Sequence, residues 1–170
     1  IFDYGYNEAD EQYYTLIEDS SGRVKEVWYD QEGRPERIDI NGNTKKVIEQ
    51  DQNDLIITNE QGQEIRKEYD EWDKLTKVTY PDGTCLDISY DNQLHKPVRI
   101  KDRKGCLTIL EYDQNGNLIR KEEASGSSAE RVITYNYNAL GQPLSATVQP
   151  DTNTAKAETF FSYDDKGNLV

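Results

Sequence analysis

Thirty-three Asp and Glu side chains, one histidine and two cysteines are the groups in this 170-residue chain that could do acid–base, metal or thiol chemistry. Among so many carboxylates, close pairs are guaranteed, so spacing alone does not single out a glycosidase-type pair. A solvated outer face that also discourages edge-to-edge strand pairing is the simpler reading. His95 stands beside Lys96-Pro97 with no second His or Cys cluster near it. It reads as a turn residue, not as a zinc ligand or general base. Asp-x-x-Gly stretches such as Asp30-Gln31-Glu32-Gly33 and Asp113-Gln114-Asn115-Gly116 could suggest calcium, yet neither an EF-hand loop nor a glycine-rich calcium repeat is present. The Asp is better employed bonding the backbone of its own turn. Twelve Tyr and two Trp, Trp28 and Trp72, remain. Regularly placed aromatics can stack on sugar rings, or they can pack as a ladder between strands, where each cross-strand pair contributes ~0.2–1 kcal/mol. The ladder is the preferred reading, with Trp28 and Trp72 as the candidate glycan contacts. No catalytic, cofactor-binding or metal-binding residue is assigned.

The elements that would position these aromatics repeat. Tyr-Asp or Tyr-Asn occurs at Tyr29, Tyr69, Tyr90, Tyr112, Tyr137 and Tyr163, with gaps of 40, 21, 22, 25 and 26 residues. The gap of 40 halves if residues 49–55 are an eroded copy of residues 112–118, both ending on Leu. A second anchor supports this. A glycine precedes five consecutive anchors by seven residues: Gly22/Tyr29, Gly42/Glu49, Gly62/Tyr69, Gly83/Tyr90 and Gly105/Tyr112. With only 11 Gly in the chain, that is a register.

Each repeat holds two turns and two short strands. One turn reads Tyr-Asp-x-x-Gly-x-Leu/Pro; the other carries Asp-Gly or Asn-Gly, as at Asp82-Gly83 and Asn41-Gly42, which suits tight hairpins. The segments between are enriched in β-branched and aromatic residues and read as strands. The tyrosines share a face with Val27, Ile65, Leu86, Ile88 and Leu110, while Glu64, Arg66, Glu68 and Asp87 take the other. Such one-sided burial fits an antiparallel sheet. The expected fold is all-β: an antiparallel meander of about 14 strands, too many to lie flat, and so a curved or coiled sheet, part of a β-shell. Seven repeats, with anchors near Tyr29, Glu49, Tyr69, Tyr90, Tyr112, Tyr137 and Tyr163, make one repeat domain over residues 1–170. Residues 124–128 and 151–154 replace the tight glycine turn in the last repeats and should form longer loops. Register also argues against a disulfide between Cys85 and Cys106. They fall on opposite faces, and equivalent strands lie about 9.6 Å apart, beyond the ~7 Å Cα limit.

The balance of 20 Lys+Arg against 33 Asp+Glu gives a net charge of −13, which disfavours nucleic acid and anionic membranes. No apolar run approaches the ~20 residues of a membrane span. Leu, Ile, Val and Phe make up only about a fifth of the chain, near the composition of disordered proteins; a strip buried mainly on one face needs no more. The chain starts Ile1-Phe2-Asp3, contains no Met, and ends just as a new repeat begins. A fragment of a longer protein is expected.

The near-ideal copies at residues 112–118 and 163–169, with Pro81-Asp82-Gly83 as an intervening turn, resemble the Rhs/YD-repeat family. The resemblance covers residues 22–170, and Tyr6-Asn7 is similar to one more eroded copy. It implies a β-strip that spirals into a hollow shell around a C-terminal toxin domain in large bacterial Rhs proteins, WapA-like wall proteins and insecticidal toxin-complex components. In animal teneurins a similar barrel carries adhesion domains. The family's self-cleaving core segment has no matching motif here, so that activity is not carried over. The resemblance thus implies a non-enzymatic structural segment of a secreted or cell-surface bacterial protein, partnered by further YD repeats and an enclosed toxin or other cargo domain. The alternative is a surface glycan-binding or adhesion module using the Tyr/Trp face.

Overall fold

The computed structural model describes residues 1–9, 11–51, 53–150 and 155–170; residues 151–154, expected to form a long loop, lie outside the described residues. The described residues contain fifteen strands and no helix. They fall into two compact bodies, Ile1–Thr84 and Cys85–Val170. The first holds β1 (Phe2–Asn7), β2 (Gln12–Glu18), β3 (Val24–Tyr29), β4 (Pro35–Ile40), β5 (Asn43–Asp51), β6 (Asp54–Asn59), β7 (Glu64–Tyr69) and β8 (Leu75–Thr79). The second holds β9 (Cys85–Tyr90), β10 (Pro97–Lys101), β11 (Leu107–Tyr112), β12 (Leu118–Glu123), β13 (Arg131–Tyr137), β14 (Pro143–Gln149) and β15 (Ala157–Phe160). Within each body every strand pairs antiparallel with its chain neighbour.

The expected two kinds of turn are mostly one. At Asp113 the carboxylate Oδ1 accepts from the backbone N–H of Asn115 at 2.9 Å and of Asn117 at 2.8 Å. Backbone bonds also run from Asp113 N–H to the Asn117 carbonyl and from Gly116 N–H to the Asp113 carbonyl. Asp19, Asn59 and Asp102, which open the turns that hold the glycine anchors Gly22, Gly62 and Gly105, make the same set of bonds. This is a three-residue hairpin loop in which a type I turn ends on a left-handed residue. The glycine supplies that residue: Gly22, Gly62, Gly83 and Gly105 have φ between 72° and 82°. Asp73 and His95 stand at the corresponding place in two drifted repeats, with φ of 56° and 53°. Asn41-Gly42 makes a two-residue turn, with both residues at positive φ and Ile40 paired to Asn43.

The motif's final Leu or Pro also has a structural reason. Tyr29, Tyr69, Tyr90, Tyr112 and Tyr137 pair across their turns with Pro35, Leu75, Pro97, Leu118 and Pro143, and a register shift accompanies each pair. Each is a β-bulge placed where the strand begins. There a proline's missing N–H breaks no ladder bond.

The eroded repeat departs from this plan. A bulge between Ile38 and Asp39 adds one residue to β5. From there on, Gln50, not Glu49, pairs with Leu55 on the tyrosine-bearing face, while Glu49 pairs with Ile56 on the other. Asp51 pairs with Asp54. Gly42 keeps the sequence offset, but the side-chain register moves by one.

The tyrosine face carries the three buried apolar side chains of the described core, Val78, Leu110 and Ile133. The opposite face carries three buried polar ones, Asp39, Glu122 and Ser145, instead of being wholly solvated. Ser145 accepts from Asn136 Nδ2 at 3.0 Å, and Glu122 is held by Arg120 and Ser125. Hydrogen bonding is what makes burial of such groups tolerable.

Candidate functional site

Three anchors of the second body join into a single chain of contacts on the tyrosine face. The Tyr112 hydroxyl donates to the Pro97 carbonyl at 3.0 Å, that of Tyr137 to the Leu118 carbonyl at 2.8 Å, and that of Tyr163 to the Pro143 carbonyl at 2.9 Å. Because Tyr112 pairs with Leu118 and Tyr137 with Pro143, each ring spans from its own strand end to the one before it. Successive hairpins are therefore tied Pro97–Tyr112–Leu118–Tyr137–Pro143–Tyr163. Burial pushes the Tyr112 and Tyr137 phenols above the ordinary tyrosine value, so both stay protonated donors. The Lys96 ammonium lies 5.3 Å from the Tyr112 ring centroid and also donates to the Gly116 carbonyl. In the first body Tyr29 instead meets the Thr15 hydroxyl at 3.2 Å.

The turn carboxylates hold the strand ends in place. Asp113 and Asp164 lie below the usual aspartate range, first because the side-chain amides of Asn117 and Asn168 donate to them and then through backbone N–H bonds. Asp19 is lowered in the same way by Ser21. Among the described residues no group of three or more His, Cys, Asp or Glu is arranged to hold a metal ion.

Trp28 and Trp72 are not brought together. Trp28 is on β3, on the face opposite Tyr29, and Trp72 projects from the β7–β8 turn, 57% exposed. A row crosses β1 to β4 at Trp28. Tyr14 covers Gly5 so closely that a Cβ there would lie 2.6 Å from the Tyr14 hydroxyl. The Tyr14 and Trp28 ring centroids are 5.1 Å apart, and the Arg37 guanidinium carbon stands 4.5 Å from the Trp28 ring. Arg37 Nε donates to Asp39 Oδ2 at 3.1 Å, whereas Trp28 Nε1 and Asp39 Oδ1 are buried without a hydrogen-bond partner. With neighbours on both sides of its ring, Trp28 is packed between side chains. Cys85 opens β9 and Cys106 is exposed ahead of β11.

Two grooves open on the tyrosine face of the first body. One, of about 440 Å³, has Ile17, Ile38 and Ile40 beside Lys25 and Lys46. The other, of about 480 Å³, is lined by Pro35, Ile48, Gln50 and Leu55 together with Asp30, Arg34 and Glu36, and by Glu49, whose side chain takes the other face. In the three tied hairpins of the second body, tyrosine and acceptor share one register. The tyrosine is one position beyond the residue that the strand ladder sets opposite the acceptor. In β4–β5 the same register from Pro35 falls on Gln50. The second groove is the place of an absent tyrosine. The acceptors Pro97, Leu118 and Pro143 escaped sequence reasoning, although the invariant Leu/Pro ending of the motif was their signal.

Residues 1–122 match the model of the teneurin YD-shell, well over half of the chain. The chain belongs to the teneurin YD-shell family. Residues 112–154 also match the RHS repeat, so the two YD-type descriptions together cover residues 1–154. Comparison with curated proteins gives no match. Two solved structures share the fold of this YD-shell segment. The crystal structure of TcdB2-TccC3-Cdc42 has a TM-score of 0.52 at 18% identity, over 97% of this chain and 10% of that one. The Photorhabdus luminescens Tc holotoxin pore, with a mutation in TccC3, has a TM-score of 0.53 at 18% identity, over 97% of this chain and 9% of that one. The segment therefore spans a tenth or less of each of these two chains.

Proposed function

We propose that this YD-shell segment is a non-enzymatic stretch of wall in a secreted or surface-exposed bacterial protein, and that the wall encloses a toxin or other cargo domain. The observation that carries the reading is the tyrosine chain. A sheet in which three successive hairpins are tied by hydroxyl-to-carbonyl bonds resists opening between them, which a container needs. The outer strand β1 exposes Phe2, Tyr4 and Tyr6, which suits packing against further YD repeats. The acidic surface suits a soluble exterior and not a nucleic-acid or membrane partner.

Limited proteolysis of the full protein that carries this segment tests the proposal. An enclosed domain resists digestion in the wild type and becomes sensitive when Tyr112→Ala and Tyr137→Ala open the wall. A cargo domain digested equally fast with and without these substitutions rules enclosure out.

A further inference from the structure

We propose that the groove beside Gln50 is a docking site for a tyrosine side chain of a partner polypeptide, carried next to a basic residue. The inference does not rest on enclosure of a cargo. The molecule supplies the template: three hairpins of the second body place a phenol in the register that Gln50 occupies, its hydroxyl donating to the carbonyl that opens the preceding strand. At β4–β5 the corresponding strand opens with Pro35, and the adjoining space is a groove of about 480 Å³ with Pro35, Ile48 and Leu55 as its apolar surface. An incoming phenol thus finds the apolar contacts and the carbonyl acceptor that the chain elsewhere provides for its own tyrosines.

The rim specifies what accompanies the ring. Asp30 and Glu36 border the groove against one cation, Arg34, while the Glu49 side chain takes the other face. Arg34 is already engaged by Asp30 at 2.6 Å and by Glu32 at 2.9 Å. The uncompensated charge is negative, so a Lys or Arg beside the partner's tyrosine gains attraction. The second body shows the same combination, with the Lys96 ammonium near the Tyr112 ring.

Tyramine, a phenol with an ammonium two carbons away, is the probe. Titrated into the chain with the Ile and Leu methyl groups followed by NMR, it should shift Ile48 and Leu55 saturably, with a Kd on the order of 1 mM. Phenethylamine, lacking the hydroxyl, and p-cresol, lacking the charge, should each bind several-fold more weakly. Gln50→Tyr should abolish the shifts by filling the groove with its own ring, while Gln50→Ala should keep them. Should Gln50→Tyr fail to fold, the wild-type shift map decides alone. Shifts spread over other exposed aromatics without saturation, or a folded Gln50→Tyr chain that binds tyramine unchanged, overturn the proposal.

Discussion

Replacing Gln50 with tyrosine should stabilise the first body, and the gain can be worked from the groove. A ring laid against Pro35, Ile48 and Leu55 removes on the order of 60 Å² of apolar surface from water, ~1.5 kcal/mol at ~25 cal/mol per Å². A hydroxyl bond to the Pro35 carbonyl adds ~1 kcal/mol. Imperfect rotamer fit in a site not selected for the ring subtracts ~1 kcal/mol. The net is ~1.5 kcal/mol, about 3–6 °C in melting temperature for a chain of this size. Repeat arrays need not unfold in one step, so amide exchange in β4, β5 and β6 is the sharper assay, and protection should rise there before elsewhere. The control is one residue away. Glu49→Tyr, measured against Glu49→Gln to remove the charge change, puts the ring on the opposite face and should give no gain. A folded Gln50→Tyr chain no more stable than wild type, or a Glu49→Tyr gain of equal size, would refute the register argument.

Three further outcomes follow from the same geometry. Tyr112→Phe and Tyr137→Phe should each cost ~0.5–1.5 kcal/mol through the lost bonds to Pro97 and Leu118, read as local loss of amide protection beside each ring. Asp113→Asn should match wild type at neutral pH, because Asn138 already performs the same turn bonding, while Asp113→Ala should be less stable. Since the folded Asp113 value is depressed, its contribution is fully present above the ordinary 3.8 and is lost as pH falls through the folded value. The Asn variant should therefore show a flatter acid limb in pH-dependent urea unfolding. Arg120→Met should cost ~1–3 kcal/mol by leaving the buried Glu122 without its cation, and adding Glu122→Leu should recover most of that loss.

The repeat, the antiparallel meander and the face bearing the tyrosines were legible because each is a periodicity: a Gly-to-Tyr offset, alternation along a strand, and turn residues at fixed places. What escaped is what a bulge or a turn closure decides. The bulge opposite Ile38 moves the tyrosine register from Glu49 to Gln50, and nothing in the string of letters around Thr44 and Lys45 announces it. Asp82-Gly83 looks like the two central residues of a tight hairpin. However, only the glycine adopts positive φ, and the closure is one residue wider than at Asn41-Gly42. The polar face misled for another reason. Alternation labels Asp39, Glu122 and Ser145 as outward, but all three are buried, and pairing with Arg37, Arg120 and Asn136 makes that burial affordable. Trp28, named as a candidate glycan contact, is enclosed by Tyr14 and Arg37 from the flanking strands β2 and β4, a contact that the alternation within β3 alone does not announce.

A sheet in which each strand touches only its neighbours has a stability that is close to a sum of local terms. A missing tie in such an array is not averaged away by a common core. Three ties are intact around Tyr112, Tyr137 and Tyr163, and the β4–β5 step has a groove where its tie would be. Regions that bind are drawn from the less stable parts of a structure, and here one substitution, the absence of an aromatic at Gln50, lowers local stability and opens the acceptor at once. The two tests are coupled for that reason. If Gln50→Tyr stabilises the chain but leaves tyramine binding untouched, the register is right and the docking site is wrong. If it does neither while folding normally, the equivalence between Gln50 and the tyrosines falls, and the docking site falls with it.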